Sequence, residues 1–211
     1  MEVNGYEIEP GADLTGADLS RMNFTGVDIS RTNLSGTNLT QANLTRANLA
    51  QANLAGANLA GANLQEANFL GTNLAGANLQ EANFEGADLQ GTLFQTADLT
   101  GANLAGANLA EANLMGANLR GAFLFRANLA GAEFSDTILT GTNLVGVNLS
   151  VAEIIKSQRF WSNLREVNQH RTDLVESTFL RNETNLKGVN LREAFWDEST
   201  IWPEGFTPPE Q

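Results

Sequence analysis

The residue types that carry acid–base, nucleophilic or metal chemistry are few in this 211-residue chain, and their spacing completes no familiar constellation. His170 is the only histidine. A two-histidine metal site and a Ser-His-Asp relay therefore both lack members, and His170 reads as a solvated residue in an irregular stretch. There is no cysteine, which excludes a disulfide framework, a thiolate metal site and a thiol nucleophile. Glu66, Glu81 and Glu85 lie close enough in sequence to imitate a catalytic carboxylate pair, but an acidic chain carries such residues on its solvated surface anyway. Triplets such as Asn38-Leu39-Thr40 match a glycosylation sequon and are by-products of the repeat described below. Glycines fall at the corners of that repeat, so none builds a phosphate-binding loop. No catalytic residue, metal ligand or cofactor site is expected, and neither is an enzyme.

The setting of these residues points the same way. Acids outnumber bases 24 to 12, for a net charge of −12, which argues against direct nucleic-acid binding because that needs a basic footprint. The length suffices for one domain with a sizeable core. The amino terminus lacks the basic and apolar regions of an export signal, and no apolar run approaches the roughly 18 residues that span a bilayer. A cytoplasmic protein with no membrane association is expected.

A strict period organises the chain. From Leu14 to Leu149 every fifth residue is Leu, Phe or Ile, in 28 consecutive slots. Two positions earlier stands Ala in 19 slots and Thr in six; one position earlier, 24 of the 28 are Asn or Asp. Gly fills 16 of the positions two after the centre. Five fits neither the 3.6-residue helix nor the two-residue strand. Within a unit, however, the small residue and the central Leu are two apart, so both face one side of an extended segment. Asn and the residues after the centre then face out or make the corner, where Gly, Asn and Asp tolerate unusual dihedrals. Short sides joined by regular corners wind into a solenoid whose coils stack at about 4.8 Å. Alanine is needed inward because a narrow tube has room for one large side chain per side.

Units such as Ala47-Asn48-Leu49-Ala50-Gln51 and Ala57-Asn58-Leu59-Ala60-Gly61 resemble the A(D/N)LXX unit of the pentapeptide-repeat proteins. The resemblance implies an all-β fold: a right-handed quadrilateral β-helix with four pentapeptides per coil, hence about seven coils. It implies no single function, since members of the family do unrelated things.

Departures from the period mark expected boundaries. Residues 1–11 read as an N-terminal cap, with Tyr6 and Ile8 covering the first coil, and 12–150 as the regular solenoid. The pattern fails in Val151-Ala152-Glu153-Ile154-Ile155-Lys156-Ser157-Gln158-Arg159-Phe160-Trp161. It returns at Leu164, Leu174 and Phe179, so 151–183 reads as an interruption followed by an irregular coil. After a two-residue insertion the centres run Leu186, Leu191, Trp196 and Ile201. Residues 184–211, with Trp202, Phe206 and three nearby prolines, read as final repeats and a C-terminal cap over open strand edges. The tail Thr200-Ile201-Trp202-Pro203-Glu204-Gly205-Phe206 resembles cyanobacterial members of the family.

With 20 residues per coil, residues 20 apart become vertical neighbours. Arg46 then pairs with Glu66, and no base occurs between Arg46 and Arg120. The acids of that span, Glu66, Glu81, Glu85, Asp88, Asp98 and Glu111, fall on three faces. The fourth, through Leu34, Leu54, Leu74, Phe94 and Leu114, is uncharged from 52 to 116. On a neighbouring face Phe123 and Phe125 flank the inward Leu124 and point out, with Val145 above and Arg126 beside. Exposed aromatics next to an arginine have the composition of a protein-binding hot spot; the alternative is that 152–161 covers them within the chain. The leading expectation is a non-enzymatic, regulatory protein-interaction scaffold with an unknown protein partner, a monomer being favoured over a homodimer. The alternative is a DNA-mimicking modulator of a type II topoisomerase (gyrase), as some proteins of the family are, which would need the six acids in a dense stripe.

Overall fold

A computed structural model of the chain describes residues 2–134, 136–144 and 147. The expectations for 151–183, for 184–211 and for Val145 lie outside these residues. The chain opens with a hairpin, β1 (Glu2–Val3) and β2 (Tyr6–Glu7), antiparallel with Glu2 opposite Glu7. Asn4 and Gly5 join the strands with φ of 52° and 81°, the pair of positive values that a two-residue type I′ turn demands. Asn4 Nδ2 donates to the Asp18 carbonyl at 3.2 Å, tying the hairpin to the first coil. Ile8 is buried in the core and Val3 packs against it, while Tyr6 stays 37 % exposed.

From residue 12 onward the chain winds. Parallel pairings one residue long join each Asn/Asp slot to the slot 20 residues later, from Asp13↔Asn33 to Phe123↔Asn143. Four five-residue sides therefore complete one coil. Around Leu54, for example, Asn53 N–H donates to the Thr32 carbonyl below at 2.9 Å, and Leu54 N–H to the Asn73 carbonyl above at 2.7 Å. The corner is closed by Ala57 N–H on the Leu54 carbonyl at 3.0 Å. This four-residue turn needs a positive φ at its third residue. Accordingly the corner residues from Gly16 to Gly141 hold φ between 57° and 71°. Eleven of them are not glycine, including Arg46, Glu66, Glu81 and Arg126, each accepting a conformation that costs an L-residue about 1–2 kcal/mol. Room follows the same logic: the stem of Glu81 lies under Gly101 and that of Glu111 under Gly131.

The core is a shaft of stacked central residues, all buried. Phenylalanines enter it on different sides and coils, so that Phe69–Phe84 and Phe84–Phe94 meet edge to face at 5.5 and 6.5 Å. Thr32, Thr37, Thr72, Thr92, Thr137 and Thr142 are buried in the small-residue slots. The tube accepts them because each hydroxyl reaches a carbonyl of the coil below, as Thr92 Oγ1 does on Phe69 at 2.9 Å. No helix among the described residues is long and apolar enough to cross a membrane.

Candidate interaction surface

Outside the shaft, each side is faced by two columns, the residue before the centre and the one after it. The first column is a ladder. Most of its Asn side chains are half-buried: Oδ1 takes the N–H two residues on, as Asn53 does for Ala55 at 3.3 Å, and in many Nδ2 donates one coil down, as Asn53 does to Asn33 at 3.2 Å. A carboxylate can only accept, and three of the four ladders start from one: Asp13, Asp18 and Asp28, which receive Asn33, Asn38 and Asn48. Hydrogen bonds from Thr15, Ser20 and Ser30 hold these carboxyls below the ordinary aspartate value. Asp98 sits higher in its ladder. Burial raises it, but bonds from Thr100 and Gln80 outweigh that and hold it low as well.

The six acids of the middle coils stand on three sides, as the spacing implies. Asp98 tops the pairing with Asn78, Asp88 that with Asn68, and Glu81, Glu66 and Glu111 occupy corners. Arg46 Nε meets Glu66 Oε2 at 2.7 Å, and this bond with the arginine's charge lowers the Glu66 carboxyl. Gln80 Nε2 holds Asp98 at 2.6 Å. No continuous acidic stripe results.

Phe123 and Phe125 do point outward, 54 % and 41 % exposed, around the fully buried Leu124. The Arg126 guanidinium lies over the Phe125 ring, 4.9 Å from its centre. Phe123 interrupts an Asn ladder between Asn103 and Asn143. Register corrects one expectation. The uncharged side carries Leu93↔Asn113 and the aromatic one Asn103↔Phe123, half a coil apart, so these sides are opposite rather than neighbouring. On the uncharged side Leu93 and Met115 are themselves exposed. Leu93 breaks the ladder there, and Asn113 turns its Nδ2 to Glu133 at 2.9 Å instead. Leu93 was legible as one of the four slots without Asn or Asp; Met115 and the equally exposed Leu70 sit after the centre, where no strict residue preference flags them.

The pentapeptide-repeat family model matches in eight copies, over residues 11–41, 42–80, 77–114, 93–129 and 112–150. The chain belongs to the pentapeptide-repeat family. Its coil is accordingly the right-handed quadrilateral β-helix of that family. Among solved pentapeptide-repeat structures it is similar to HetL of the cyanobacterium Nostoc sp. strain PCC 7120, involved in heterocyst differentiation regulation, at 31 % identity over 71 % of this chain and 85 % of HetL, with a TM-score of 0.34. It is likewise similar to Rfr23 of the cyanobacterium Cyanothece 51142, at 31 % identity over 68 % of this chain and 84 % of Rfr23, with a TM-score of 0.35. QnrB1, a plasmid-mediated fluoroquinolone resistance protein, aligns at 20 % identity over 68 % of this chain and 78 % of its own, with a TM-score of 0.48. No curated protein matches.

Proposed function

We propose that this pentapeptide-repeat chain is a non-enzymatic interaction scaffold of the cytoplasm, regulatory in role, that engages a protein partner through the side bearing Phe123, Phe125 and Arg126. One observation carries the reading: two phenyl rings stand exposed side by side on an otherwise polar, regular wall, one of them stacked under a guanidinium. Leaving such rings in water gains nothing, whereas aromatic and arginine side chains dominate protein-binding hot spots. The scaffold beneath is stiff, since every coil is tied to the next by backbone bonds and the ladders. The topoisomerase reading finds no support in the placement of the acids, which stand on three sides with Glu66 already paired.

The test is a titration. A partner recovered by affinity capture should bind Phe123→Asn/Phe125→Ala more weakly by about 2 kcal/mol, roughly 30-fold in Kd. Thermal unfolding of the solenoid should stay where it was, because neither ring is part of the shaft. Unchanged affinity would remove this side from the interface.

A further inference from the structure

The two rings on the aromatic side have charged neighbours at both ends. Arg120 and Arg126 are the only bases between Arg46 and Lys156, a stretch that holds nine acids. Both lie on the coil of Phe123 and Phe125. Arg120 is the second residue of the corner turn closed by Ala122 N–H on the Leu119 carbonyl at 3.0 Å. Arg126 is the third residue of the next corner, closed by Ala127 N–H on the Leu124 carbonyl at 2.8 Å. The wall of this coil therefore presents cation, ring, ring, cation, and all four side chains are exposed. Among the described residues neither guanidinium meets a carboxylate: the ion pair there joins Arg46 to Glu66. Asp98, on Arg120's own side one coil below, already takes bonds from Thr100, Gln80 and Asn118. Arg126 lies over the Phe125 ring. Beneath the rings the next coil offers Asn103, Ala105 and Gly106, short and uncharged. Glu85 and Glu81 stand one coil lower still, about 10 Å below the rings.

This arrangement dictates the chemistry of an occupant. A guanidinium presents a planar fork that a carboxylate fits with two parallel bonds, and the attraction grows where apolar surface keeps water away. An occupant thus needs apolar bulk at its middle to cover the rings and an acid toward each end. Arg120 and Arg126 are six residues apart, at most about 20 Å along the chain, so acids about four to six residues apart in an extended peptide reach both. Glu85 and Glu81 repel such a peptide from the lower wall, which sets it across this one coil rather than down the axis. A nucleic-acid strand fits worse: two bases neutralise two phosphates at most, against the acids below and a net charge of −12. We infer that the aromatic side takes an acidic peptide of a protein partner, its carboxylates on Arg120 and Arg126 and its apolar anchor on Phe123 and Phe125. The inference rests on the reading of this side as the partner surface and adds the partner's chemistry.

Selection from a random twelve-residue peptide display library on the full chain tests this without a known partner. Enriched peptides should be net acidic, with at least two acids flanking an aromatic residue or leucine. Fluorescence anisotropy of one such peptide, in about 0.1 M salt, should show at least tenfold weaker binding to Arg120→Gln/Arg126→Gln. The fold accepts both changes: Gln80 stands in the column of Arg120, and Gln41 and Gln51 hold corner φ values of 58° and 60° beside the 57° of Arg126. Replacing the peptide's acids by their amides should weaken binding to the unmodified chain by the same tenfold, a loss that no misfolded variant can imitate. Enrichment of basic or uncharged peptides, no enrichment, or an affinity indifferent to the arginines overturns the inference. So does tighter binding of a twelve-nucleotide oligothymidylate than of the peptide, or a dimer of the chain that dissociates in Arg120→Gln/Arg126→Gln and so places a second copy there. Loss of affinity in Phe123→Asn/Phe125→Ala without loss in the arginine variant overturns the inference and leaves the reading of this side standing. Indifference to both changes counts against both.

Discussion

Leu79 offers the sharpest view of the shaft. Its side chain is fully buried between Leu59 and Leu99, the residues 20 before and after it in the same column. Truncation to alanine removes three buried carbons and leaves a gap that neighbours fixed by inter-coil bonds cannot close, a loss of about 3 kcal/mol. Leu79→Asp adds an unpaired carboxylate in the same place. That costs several kcal/mol more, a total comparable with the roughly 5–15 kcal/mol that holds a domain together. The sign with pH is also fixed. Burial raises the folded-state carboxyl above its unfolded value, so the variant regains stability as pH falls toward the unfolded value and loses it as pH rises. Urea unfolding followed by far-UV circular dichroism, at pH 7 and near pH 4, measures both effects against the unmodified chain. A loss under about 1 kcal/mol for Leu79→Asp, or a deficit indifferent to pH, would refute the inward assignment of the column.

Other outcomes follow from single bonds. Thr92→Val keeps the shape of a buried residue and deletes its bond to the Phe69 carbonyl, which keeps Thr72 N–H at 2.9 Å; the cost in a urea melt should be about 1 kcal/mol, and a loss above about 3 would contradict the shared carbonyl. Asp13, Asp18, Asp28 and Asp98 are held below their ordinary value of 3.8, so they stabilise the fold above that pH and the contribution is lost as pH falls through the lowered values. Thermal melts from pH 6 to 2 should show the loss beginning below about 4, and a fold gaining stability there would contradict the assignment. In a supercoiling assay at low micromolar concentration the protein should leave gyrase active; inhibition that disappears when Glu81, Glu85 and Asp88 are neutralised together would favour the mimicry reading.

The period of five, with its small, polar, large and glycine slots, made the inside and outside of the solenoid legible residue by residue. Leu124 buried between two exposed rings is the clearest case. A period alone does not say how many sides make a coil; that number came from the family resemblance, and the pairing of Asp13 with Asn33 shows it. Given four sides, Leu114 and Leu124, two units apart, already belong to opposite sides, so taking those sides as neighbours misapplies the count, and the register corrects it. Corners were harder. Glycine at 16 of 28 slots pointed to a corner of unusual dihedrals; the corners are left-handed, and Arg46 and Glu66 in the same conformation show that repeated inter-coil bonding overrides the preference of a single residue. The ladders were hidden for another reason: an Asn or Asp before most centres looks like a polar exterior until the stacking brings an Nδ2, as at Asn53 and Asn73, onto the oxygen below.

Site-specific photo-crosslinking bears most directly on the claim that this solenoid binds through one side. A benzophenone side chain placed at Phe123, and separately at Leu93 on the opposite side, would be irradiated with the captured partner. Crosslinks to the partner from position 123 and none from position 93 are the predicted result. Crosslinks from position 93 alone, or equally from both, would contradict it.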